Sequence, residues 1–397
     1  MAGRPLKIAL VAAEPSGDWQ AGALAKAIRD GGIEAELCGV GGSCMEEAGV
    51  EVWLNSQDVS CIGPGDAIGR LHYFYSSYFK LQRLLEKARP DLTIMLDSPA
   101  LNMRLAKFLR RRHLSTLYYI PPSAWTTNGK RLRSIYDRVD GIVCIFKLNA
   151  DRYRQMGLPV AYFGHPIVDM YGSDAQDSEA ARHELGTDKP VLAVLPGSRN
   201  QEVDNLLPRF TELAEKFLQT HSEAEVFIPC ATEPLHQRIK QYLGEKHPRF
   251  RVVLGHTRQV LRTARVALTA SGSATLEAAM CGVPMAICYR FGLLNWVLGR
   301  FLIISGLLKC PHFGLPNLMA DRRICPEFLQ DEVREELVLP VLHELWEDTP
   351  RRAEMIAALE NVRNDLGSPG VLRKVAATAV AMAQGQTLTE ALEHLNL

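Results

Sequence analysis

The sequence lacks an excess of charge of either sign, since 45 lysines and arginines balance 45 aspartates and glutamates over 397 residues. A chain without a net positive field has no global attraction for a nucleic-acid backbone, so no nucleic-acid partner is expected. Any anionic ligand must therefore be bound by a local group of donors.

Paired cysteines and metal-binding clusters are also missing. The nine cysteines lie scattered in mostly apolar surroundings without a CxxC pair, and no histidine cluster has the spacing of a zinc site. This usage is typical of buried free thiols in a reducing compartment. We predict a protein with no disulfide framework, no metal and no cofactor.

Long apolar runs are the third absence, since none extends without interruption over the roughly 20 residues of a membrane span. The first run, residues 8–13, ends after six residues at Glu14 and lacks a cleavage site. It does not fit a signal peptide and instead predicts a buried first strand in a cytoplasmic protein.

Short apolar runs that end in glycine, proline or serine recur along the chain, with amphipathic stretches such as 19–29 and 208–219 between most of them. Such runs are typical of strands covered on both faces, and their alternation with helices predicts parallel sheets. The fold class is therefore α/β. The runs are KIALVAA, DLTIMLD, TLYYIP, GIVCIF, VLAVLPG, EVFIPC, FRVVLG, VALTAS and PMAICY.

The alternation pauses at the polar segment 172–189, which separates two such series. A chain of this length fits two domains, and we place their boundary near residues 168–175. The predicted domains cover residues 1–170 and 171–370, followed by a helical segment over 371–397. From about Asp331 onward the pattern is helical.

Polar and small residues gather directly after the apolar runs. In open parallel sheets ligands bind beyond the carboxyl ends of the strands, so these residues are candidates for a binding site. Two such edges facing each other would form a cleft between the domains. The candidates are Glu14, Ser16, Gly17, Asp18, Asp97, Ser123, Trp125, Gly164 and His165 in the first half, and Gly197, Ser198, Arg199, Ser271, Gly272 and Ser273 in the second.

The segment VALTASGSATLEAAMCGVPMAICYR is the most informative one. Small residues at a strand-to-helix turn let a pyrophosphate approach the N–H groups of the helix N-terminus. Glu277 follows about one turn into that helix, where a carboxylate can accept hydrogen bonds from both ribose hydroxyls of a nucleotide. An ordinary turn with Glu277 on a solvated helix face remains the alternative.

Arg199 in LPGSRNQEV occupies a place where a guanidinium could neutralise a leaving diphosphate. The alternative is a surface arginine near a helix start, although a cation there opposes the helix dipole. Asp97 in LDSPALN fits a general base and a helix cap equally well. Glu14 could simply complement a helix dipole, and His165 in GHP could be a satisfied turn histidine.

Two stretches indicate a membrane surface. Aromatic and leucine residues recur at helical spacing between 71 and 85, a stripe that fits a core face as well as a lipid anchor. The run 291–308 contains a single charge, Arg300, and its glycines favour a buried or interfacial segment over a span. The basic helix NMRLAKFLRRRH could reach anionic headgroups.

These motifs in order resemble the lipid-A-disaccharide synthase family, from Lys7 to about Gln330. They are AAEPSGD, LDSPALN, PPSAW, FGHP, LPGSR followed by EV, SGxAxLE, GVPMxxxYR and LPNLMA. Each motif alone is weak, but the set in this order is specific. The resemblance implies a GT-B fold, in which two Rossmann-like domains face a cleft, with the first on the acceptor side and the second binding the UDP-sugar.

The resemblance also implies an activity and a set of site residues. The family transfers 2,3-diacylglucosamine from UDP to 2,3-diacylglucosamine 1-phosphate, making the β-1,6 disaccharide of lipid A. Glu14, Asp97, Arg199 and Asn317 match functionally required positions, with Asp97 as the leading general base. Glu277 and residues 271–273 match the UDP side. The implied location is the inner leaflet of the cytoplasmic membrane, as a peripheral protein, and a homodimer is left open.

Three departures from the family pattern concern the acceptor side. Ala100 stands where the family usually has an acidic residue, and residues 125–128 read WTTN instead of a Trp-rich run. The segment CIGPGDAIG replaces an apolar docking stretch. A paralogue using another lipid-linked sugar, or a noncatalytic sugar-nucleotide binder, is therefore an open alternative.

Two further enzyme classes share this kind of fold. A nicotinamide-dependent oxidoreductase is disfavoured because AAEPSGD lacks GxGxxG, and GVGGSC lacks the third small residue at the proper place. A UDP-sugar epimerase is disfavoured because it needs no lipid-facing surface.

Overall fold

A computed structural model describes residues 4–59, 67–122, 129–172, 178–244, 247–290 and 312–396. The chain divides into two compact units. Unit 1 comprises Met1–Met170 together with Gly367–Leu397, and unit 2 comprises Tyr171–Leu366. The last part of the chain therefore belongs to the same unit as its beginning.

The core of unit 1 is a seven-stranded sheet in which every pairing is parallel. Its strands are almost wholly apolar, because helices cover both faces of a parallel sheet. The spatial order is β3-β2-β1-β4-β5-β6-β7. The strands are β1 (Leu6–Ala12), β2 (Ala35–Gly41), β3 (Glu51–Asn55), β4 (Leu92–Leu96), β5 (Thr116–Tyr119), β6 (Gly141–Cys144) and β7 (Ala161–Tyr162).

The helices of unit 1 connect successive strands, as the alternation in the sequence predicts. Their apolar faces pack on the sheet around a core that includes Leu81, Leu105 and Tyr118. The helices are α1 (Pro15–Asp30), α2 (Ser43–Glu47), α3 (Ser56–Val59), α4 (Ala67–Ala88), α5 (Pro99–Arg111), α6 (Gly129–Tyr136), α7 (Lys147–Gln155) and α8 (Ile167–Tyr171), the last ending in the first residue of unit 2.

Unit 2 contains a six-stranded parallel sheet in the order β10-β9-β8-β11-β12-β13. Counted from its first strand, this order repeats the arrangement of the first six strands of unit 1 and is the standard Rossmann order. The strands are β8 (Val191–Leu195), β9 (Glu225–Cys230), β10 (Phe250–Leu254), β11 (Ala264–Ala270), β12 (Met285–Tyr289) and β13 (Glu327–Leu329).

The helices of unit 2 surround this sheet, and those after β13 run without a further strand in the described residues, in agreement with the helical pattern from Asp331 onward. A short 3₁₀ turn, Gln330–Glu332, follows β13. The helices are α9 (Ser178–Leu185), α10 (Asn200–Thr220), α11 (Glu233–Leu243), α12 (Thr257–Thr263), α13 (Ser273–Met280), α14 (Leu315–Ala320), α15 (Glu335–Trp346) and α16 (Pro350–Asp365).

The C-terminal segment returns to unit 1 as α17 (Val371–Ala383) and α18 (Leu388–His394). Helix α17 packs on α1 and on the two central strands β1 and β4. Asp169 caps its N-terminus, since its two carboxylate oxygens accept hydrogen bonds from Gly370 N at 2.5 Å and Leu372 N at 2.6 Å. A carboxylate at a helix N-terminus satisfies unpaired amides and complements the helix dipole.

Candidate functional site

Each sheet has one point where the strand order reverses, between β1 and β4 in unit 1 and between β8 and β11 in unit 2. Ligands of open α/β sheets bind beyond the carboxyl ends of the strands at such points. In unit 1 the last paired residues there are Ala12 and Leu96. Glu14 and Asp97 therefore leave the sheet side by side, at the end of neighbouring strands.

The corresponding point of unit 2 is built in the same way. Leu195 pairs with Thr269 near the ends of β8 and β11. Gly197 and Ser271 each follow two residues later, so the turns 197–199 and 271–273 leave from adjacent strands. The sequence candidates of both halves thus lie at the ligand-binding edge of their own sheet.

Asp97 begins a strained turn between β4 and α5. Asp97 and Ser98 both lie in the left-handed region, with φ of 49° and 38°. Two consecutive residues other than glycine in this region are uncommon, and each costs about 1–3 kcal/mol. Backbone strain of this kind occurs most often at functional sites.

Two buried side chains hold the turn at Asp97. The main-chain oxygen of Asp97 accepts hydrogen bonds from Asn102 Nδ2 at 2.6 Å and from the Tyr118 hydroxyl at 2.8 Å. Asn102 Nδ2 also donates to the oxygen of Leu96 at 2.9 Å. Burial, and then the charge of Asp97, raise the pKa of Tyr118, so its hydroxyl stays protonated and can donate.

Asp97 lies just before the helix that follows it. Ser98 occupies the N-cap of α5 and Pro99 follows it, while Asp97 lies one residue before the cap. Among the described residues, the Ser98 side chain makes no capping hydrogen bond. The general-base and helix-cap interpretations of the Asp97 side chain both stay predictions.

Glu14 occupies the N-cap of α1 with extended backbone. Its main-chain oxygen accepts the first helical hydrogen bond, from Asp18 N at 2.9 Å, and its side chain is half-buried. Ser16, half-buried, and Gly17, buried, lie in the first turn of α1 beside it. These residues thus follow β1 at the switch point, as predicted, and their substrate contacts stay a prediction.

Asp18 already has a full set of partners within unit 1. Its Oδ1 accepts from Gly42 N at 2.6 Å and Met45 N at 3.3 Å, and its Oδ2 accepts from Cys44 N at 3.2 Å. The buried carboxylate ties the N-terminal amides of α2 to α1. This gives Asp18 a structural task that the sequence motif did not reveal, and its predicted substrate contact stays untested.

His165 is buried and neutral. Burial lowers its pKa to about 3, and its Nδ1 accepts a hydrogen bond from Ile167 N at 3.1 Å. Its ring lies 5.1 Å from that of Phe146. The turn-histidine interpretation therefore accounts for Nδ1, and the remaining proton is on Nε2.

Several predicted features lie outside the described residues. They include Ser123, Trp125 and the remaining residues of the WTTN run, up to 128. The apolar run 291–308 and most of CIGPGDAIG, residues 61–66, also lie outside the described residues. Predictions about them stay predictions.

Gly197, Ser198 and Arg199 form the turn between β8 and α10. Gly197 has a φ of 120°, and a Cβ there would come within 2.5 Å of the Glu202 side chain, so only glycine fits. Glu202 Oε2 accepts from Ser198 N at 3.1 Å and from Arg199 N at 3.4 Å, which closes a capping box.

The Arg199 guanidinium is half exposed and lies 3.4 Å from Glu202 Oε1. A solvent-exposed ion pair of this kind contributes only about 0–1 kcal/mol. Glu202 thus offsets the unfavourable placement of a cation at a helix N-terminus.

Gly272 forms the N-cap of α13 with a φ of 145° and a ψ of −159°, a conformation that only glycine adopts readily. A Cβ there would meet no described atom within 4 Å, so the space above the turn is open. Gly272 and Ser273 are exposed, and Ser271 Oγ donates to the oxygen of Phe313 at 2.6 Å. The turn presents helix N-terminal amides to this space, as an anion site requires.

Glu277 is half-buried and has a hydrogen-bond partner within unit 2. Its Oε2 accepts a hydrogen bond from the hydroxyl of the buried Tyr171. Burial raises the pKa of Glu277, while this hydrogen bond lowers it. A half-buried carboxylate with a tyrosine partner therefore stands one turn beyond the Gly272 turn, and its predicted ribose contact stays a prediction.

Asn317 uses all of its hydrogen-bonding capacity within unit 2. Its Nδ2 donates to Cys325 O and Glu327 Oε1, both at 2.8 Å, and its Oδ1 accepts from Ile324 N and Cys325 N, both at 2.8 Å. An amide offers two donors and two acceptor sites, so the side chain is saturated. Direct substrate contact by Asn317 would require one of these bonds to break.

Glu327 is a partner that the sequence reasoning missed. Its buried Oε1 accepts from Gly314 N at 2.7 Å and Phe313 N at 3.0 Å besides Asn317. Since Phe313 O also receives the Ser271 hydroxyl, this carboxylate fixes the loop beside the open turn. The segment PEFLQ contains no local motif that predicts this contact. The only indication in the sequence is an acidic residue within an apolar strand.

The aromatic stripe of α4 divides between core and surface. Phe74 and Tyr78 are buried, whereas Tyr75 is 38% and Phe79 is 52% exposed. Arg104 of α5 lies over the Phe74 ring at 5.9 Å. Of the helices that the structure describes, none is both long and apolar enough to cross a membrane.

No group of three or more His, Cys, Asp or Glu side chains in the described ranges could hold a metal ion. The expectation of metal-independent chemistry is not tested by this and stays a prediction. Among the described residues, the charged candidates that follow the strands at the two switch points are Glu14, Asp97 and Arg199, a set that suits proton transfer and charge neutralisation.

Comparison with known proteins gives one consistent family. The sequence model of the family described as lipid-A-disaccharide synthetase matches residues 8–379. A lipid-A-disaccharide synthase of Pseudomonas aeruginosa is 34% identical over 357 residues, which cover 89% of this chain and 93% of the relative. Another, from Nitrosococcus oceani, is 31% identical over 97% of this chain and 98% of its own length.

Solved structures match at the level of the fold. A UDP-GlcNAc 2-epimerase from Neisseria meningitidis bound to UDP-GlcNAc aligns with a TM-score of 0.60 at 12% identity, covering 95% of this chain and 100% of that one. A spinosyn rhamnosyltransferase complexed with thymidine diphosphate aligns at 0.59 and 15% identity, covering 93% and 99%. The two-sheet GT-B class predicted from the sequence is confirmed.

Proposed function

Because the chain belongs to the lipid-A-disaccharide synthetase family, we propose a residue-level account of the transfer reaction of that family. The chain is a hexosyltransferase of lipid A biosynthesis that uses a UDP-sugar and a lipid acceptor. It moves 2,3-diacylglucosamine from UDP to 2,3-diacylglucosamine 1-phosphate, giving the β-1,6 disaccharide 1-phosphate and UDP. The family and the activity predicted from the sequence are confirmed.

Asp97 is the general base in this account. The strained turn at the end of β4, held by Asn102 and Tyr118, is the observation that supports it. The carboxylate takes the proton of the acceptor hydroxyl while the oxygen attacks the anomeric carbon, opposite the departing UDP. A new C–O bond forms as the bond to the diphosphate breaks, which inverts the anomeric centre. Glu14, next to Asp97 at the switch point, is the second candidate.

The donor binds at the carboxyl edge of the second sheet. The diphosphate lies over the Gly272 turn, where α13 amides and the Ser271 and Ser273 region face open space. Arg199 exchanges its weak contact with Glu202 for the diphosphate and neutralises the charge that develops there. Glu277 accepts hydrogen bonds from the ribose hydroxyls.

Two variants with opposite expected effects on UDP binding and sugar transfer test this division of roles. Glu277→Ala should lose UDP affinity in calorimetry, by about 1–3 kcal/mol, because hydrogen bonds to a carboxylate are lost. Asp97→Asn should bind UDP normally and fail to transfer sugar, as measured by mass spectrometry of the disaccharide product. Loss of UDP binding in Asp97→Asn, or normal binding in Glu277→Ala, would contradict the assignment.

Peripheral association with the cytoplasmic face of the membrane is part of the proposal. Both substrates carry acyl chains, and α4 exposes Tyr75 and Phe79 next to the basic helix α5. Aromatic rings and cations together favour anionic bilayer surfaces. Phe79→Ser should reduce flotation with anionic vesicles, and salt should release the wild type. A homodimer is a separate prediction, which light scattering of the purified chain would test.

A further inference from the structure

Tyr171 and Glu277 lie 106 residues apart in the chain and meet in unit 2. Tyr171 is the last residue of α8, and its hydroxyl donates to Glu277 Oε2 on α13. The Tyr171 side chain is buried, and the Arg258 guanidinium lies 5.9 Å from its ring centroid. Burial and the hydrogen bond to Glu277 therefore restrict where the hydroxyl points.

We propose that Tyr171 is a positioning residue for the nucleotide: it holds one oxygen of Glu277 and thereby turns the other toward the ribose hydroxyls of the donor. This inference rests on the ribose contact proposed for Glu277. A glutamate has several rotatable bonds and loses entropy when it is ordered. Because the Tyr171 hydroxyl already orders the Glu277 side chain in the free protein, less entropy is lost when the nucleotide binds. The affinity for the nucleotide therefore rises through preorganisation.

The same hydrogen bond affects the charge of Glu277. Burial raises the pKa of this carboxyl, and donation by Tyr171 lowers it again. The other ionisable groups around it are Arg258 and Arg262 of α12 and the thiol of Cys281, whose pKa burial raises to about 12. The remaining elements packed on α13 are β11, β12, α14 and α16. Their fully buried side chains are uncharged and include the thiol of Cys288, whose pKa burial raises. Their partly buried cations, Arg265 and Arg352, donate to main-chain oxygens of α15.

The sign of the pH effect follows from these two influences. An ionised carboxylate accepts hydrogen bonds more strongly than a protonated carboxyl, so the charge-assisted part of the ribose contribution to binding is present above the Glu277 pKa and is lost as pH falls through it. Removing the Tyr171 hydroxyl takes away the influence that lowers this pKa. In Tyr171→Phe the loss should therefore begin at a higher pH than in the wild type.

The test compares UDP with 2′,3′-dideoxyuridine 5′-diphosphate by calorimetry. The two probes differ only in the ribose hydroxyls, so protonation of the diphosphate cancels in the ratio of their affinities. The wild type should prefer UDP by about 10- to 100-fold, and Glu277→Ala should abolish the preference. Tyr171→Phe, which keeps the buried ring, should reduce the preference about tenfold at neutral pH and shift its decline to higher pH.

Tyr242→Phe is the matched control, because Tyr242 is an exposed tyrosine of α11 in the same unit. It should keep the wild-type preference and pH profile. A wild-type ratio in Glu277→Ala would overturn the ribose assignment itself. A collapsed ratio in Glu277→Ala together with a wild-type ratio and pH profile in Tyr171→Phe would overturn only the inference about Tyr171. Tighter UDP binding by Tyr171→Phe would also overturn it, since Tyr171 would then compete with the ribose.

Discussion

The two switch points share one topology but differ in the residues that form their turns. In unit 1 the β4 turn consists of Asp97 and Ser98, which have left-handed backbone without being glycines. In unit 2 the β11 turn relies on Gly272, whose backbone is glycine-specific and whose surroundings are open. One turn therefore places a side chain, and the other exposes main-chain amides.

The support behind each turn differs accordingly. Asn102 and Tyr118, both fully buried, hold the main-chain oxygen of Asp97 from within the core. The Gly272 turn is fixed from the side, through Ser271, Phe313 and the carboxylate of Glu327. A proton acceptor needs an exact side-chain direction, whereas a diphosphate needs several N–H groups and free space. The Rossmann order provides the location, and the turn residues decide the chemistry.

The largest expected effect is at Asp97. Replacing it by Asn keeps the shape of the side chain but removes proton acceptance, so single-turnover transfer at saturating substrates should fall by about 10²- to 10⁴-fold. UDP affinity and thermal stability should stay near the wild type. Asp137→Asn, which alters only an exposed ion pair of α6, is the matched control and should keep full turnover.

Turnover of Asp97→Asn within a few fold of the wild type would contradict the role given to the first turn, because the strained turn would then place no base. Glu14 would be the next residue to replace in that case, since it follows the neighbouring strand. Lost turnover combined with a large loss of stability would instead assign Asp97 to folding, against the mechanism.

Asn102→Ala should show how far the first turn depends on the core. It removes two hydrogen bonds, to Leu96 O and Asp97 O, and leaves buried carbonyl groups with fewer partners. We expect a loss of about 1–3 kcal/mol in the free energy of unfolding, with a lower transfer rate and unchanged UDP affinity. Denaturant melts and single-turnover assays measure both.

Thr116→Val serves as the control for Asn102→Ala. It removes two part-buried hydrogen bonds of the Thr116 hydroxyl, which donates to Asp140 Oδ2 and accepts from Asp140 N in the same unit, away from the switch point. It should cost stability without slowing transfer by more than its stability loss explains. Equal effects of the two variants on the transfer rate would mean that the turn at Asp97 has no special dependence on Asn102.

The positions of both turns could be predicted from the sequence, because strands and small-residue turns are local patterns. Asp97 and Ser271 come directly after apolar runs, and parallel strands end at one edge of a sheet. The amphipathic stretch 208–219 predicts only the second half of helix α10. The helix begins at Asn200 instead, where Glu202 closes a capping box with Arg199.

The support of the turns could not be predicted, because it consists of contacts between distant residues. Tyr171 reaches Glu277 across 106 positions, and Asp169 caps a helix 201 positions later. Asn317 and Asp18 match motif positions, yet their hydrogen-bonding atoms are engaged within the chain. A motif indicates where a residue type recurs, but only the fold shows whether its atoms face a ligand or the protein.

Gly272→Ala should show how far UDP binding depends on the glycine turn of unit 2. Alanine in this backbone conformation costs about 1–3 kcal/mol, so the turn should either shift or become less stable. UDP affinity should fall while uridine, which lacks the diphosphate, should bind almost as before. Gly282→Ala, at the far end of α13 with a φ of 67° and open space, should lower stability but keep UDP affinity.

The smallest effect is expected at Glu327, where the side support of the second turn begins. Gln keeps the size of the side chain, but its neutral oxygen accepts the amides of Phe313 and Gly314 more weakly. We expect a loss of about 1 kcal/mol in stability and a few-fold loss in UDP affinity, because the loop that receives the Ser271 hydroxyl becomes less ordered. Melting curves and calorimetry measure the two.

Glu225→Gln is the control for Glu327→Gln, since Glu225 begins β9 at the amino edge of the same sheet and binds Thr187. It should reduce stability by a similar amount and leave UDP affinity unchanged. If Glu327→Gln behaves in the same way, the loop at Phe313 supports only the fold. The Gly272 turn would then act without lateral support, and the contrast with the core-held turn at Asp97 would be larger than the hydrogen bonds indicate.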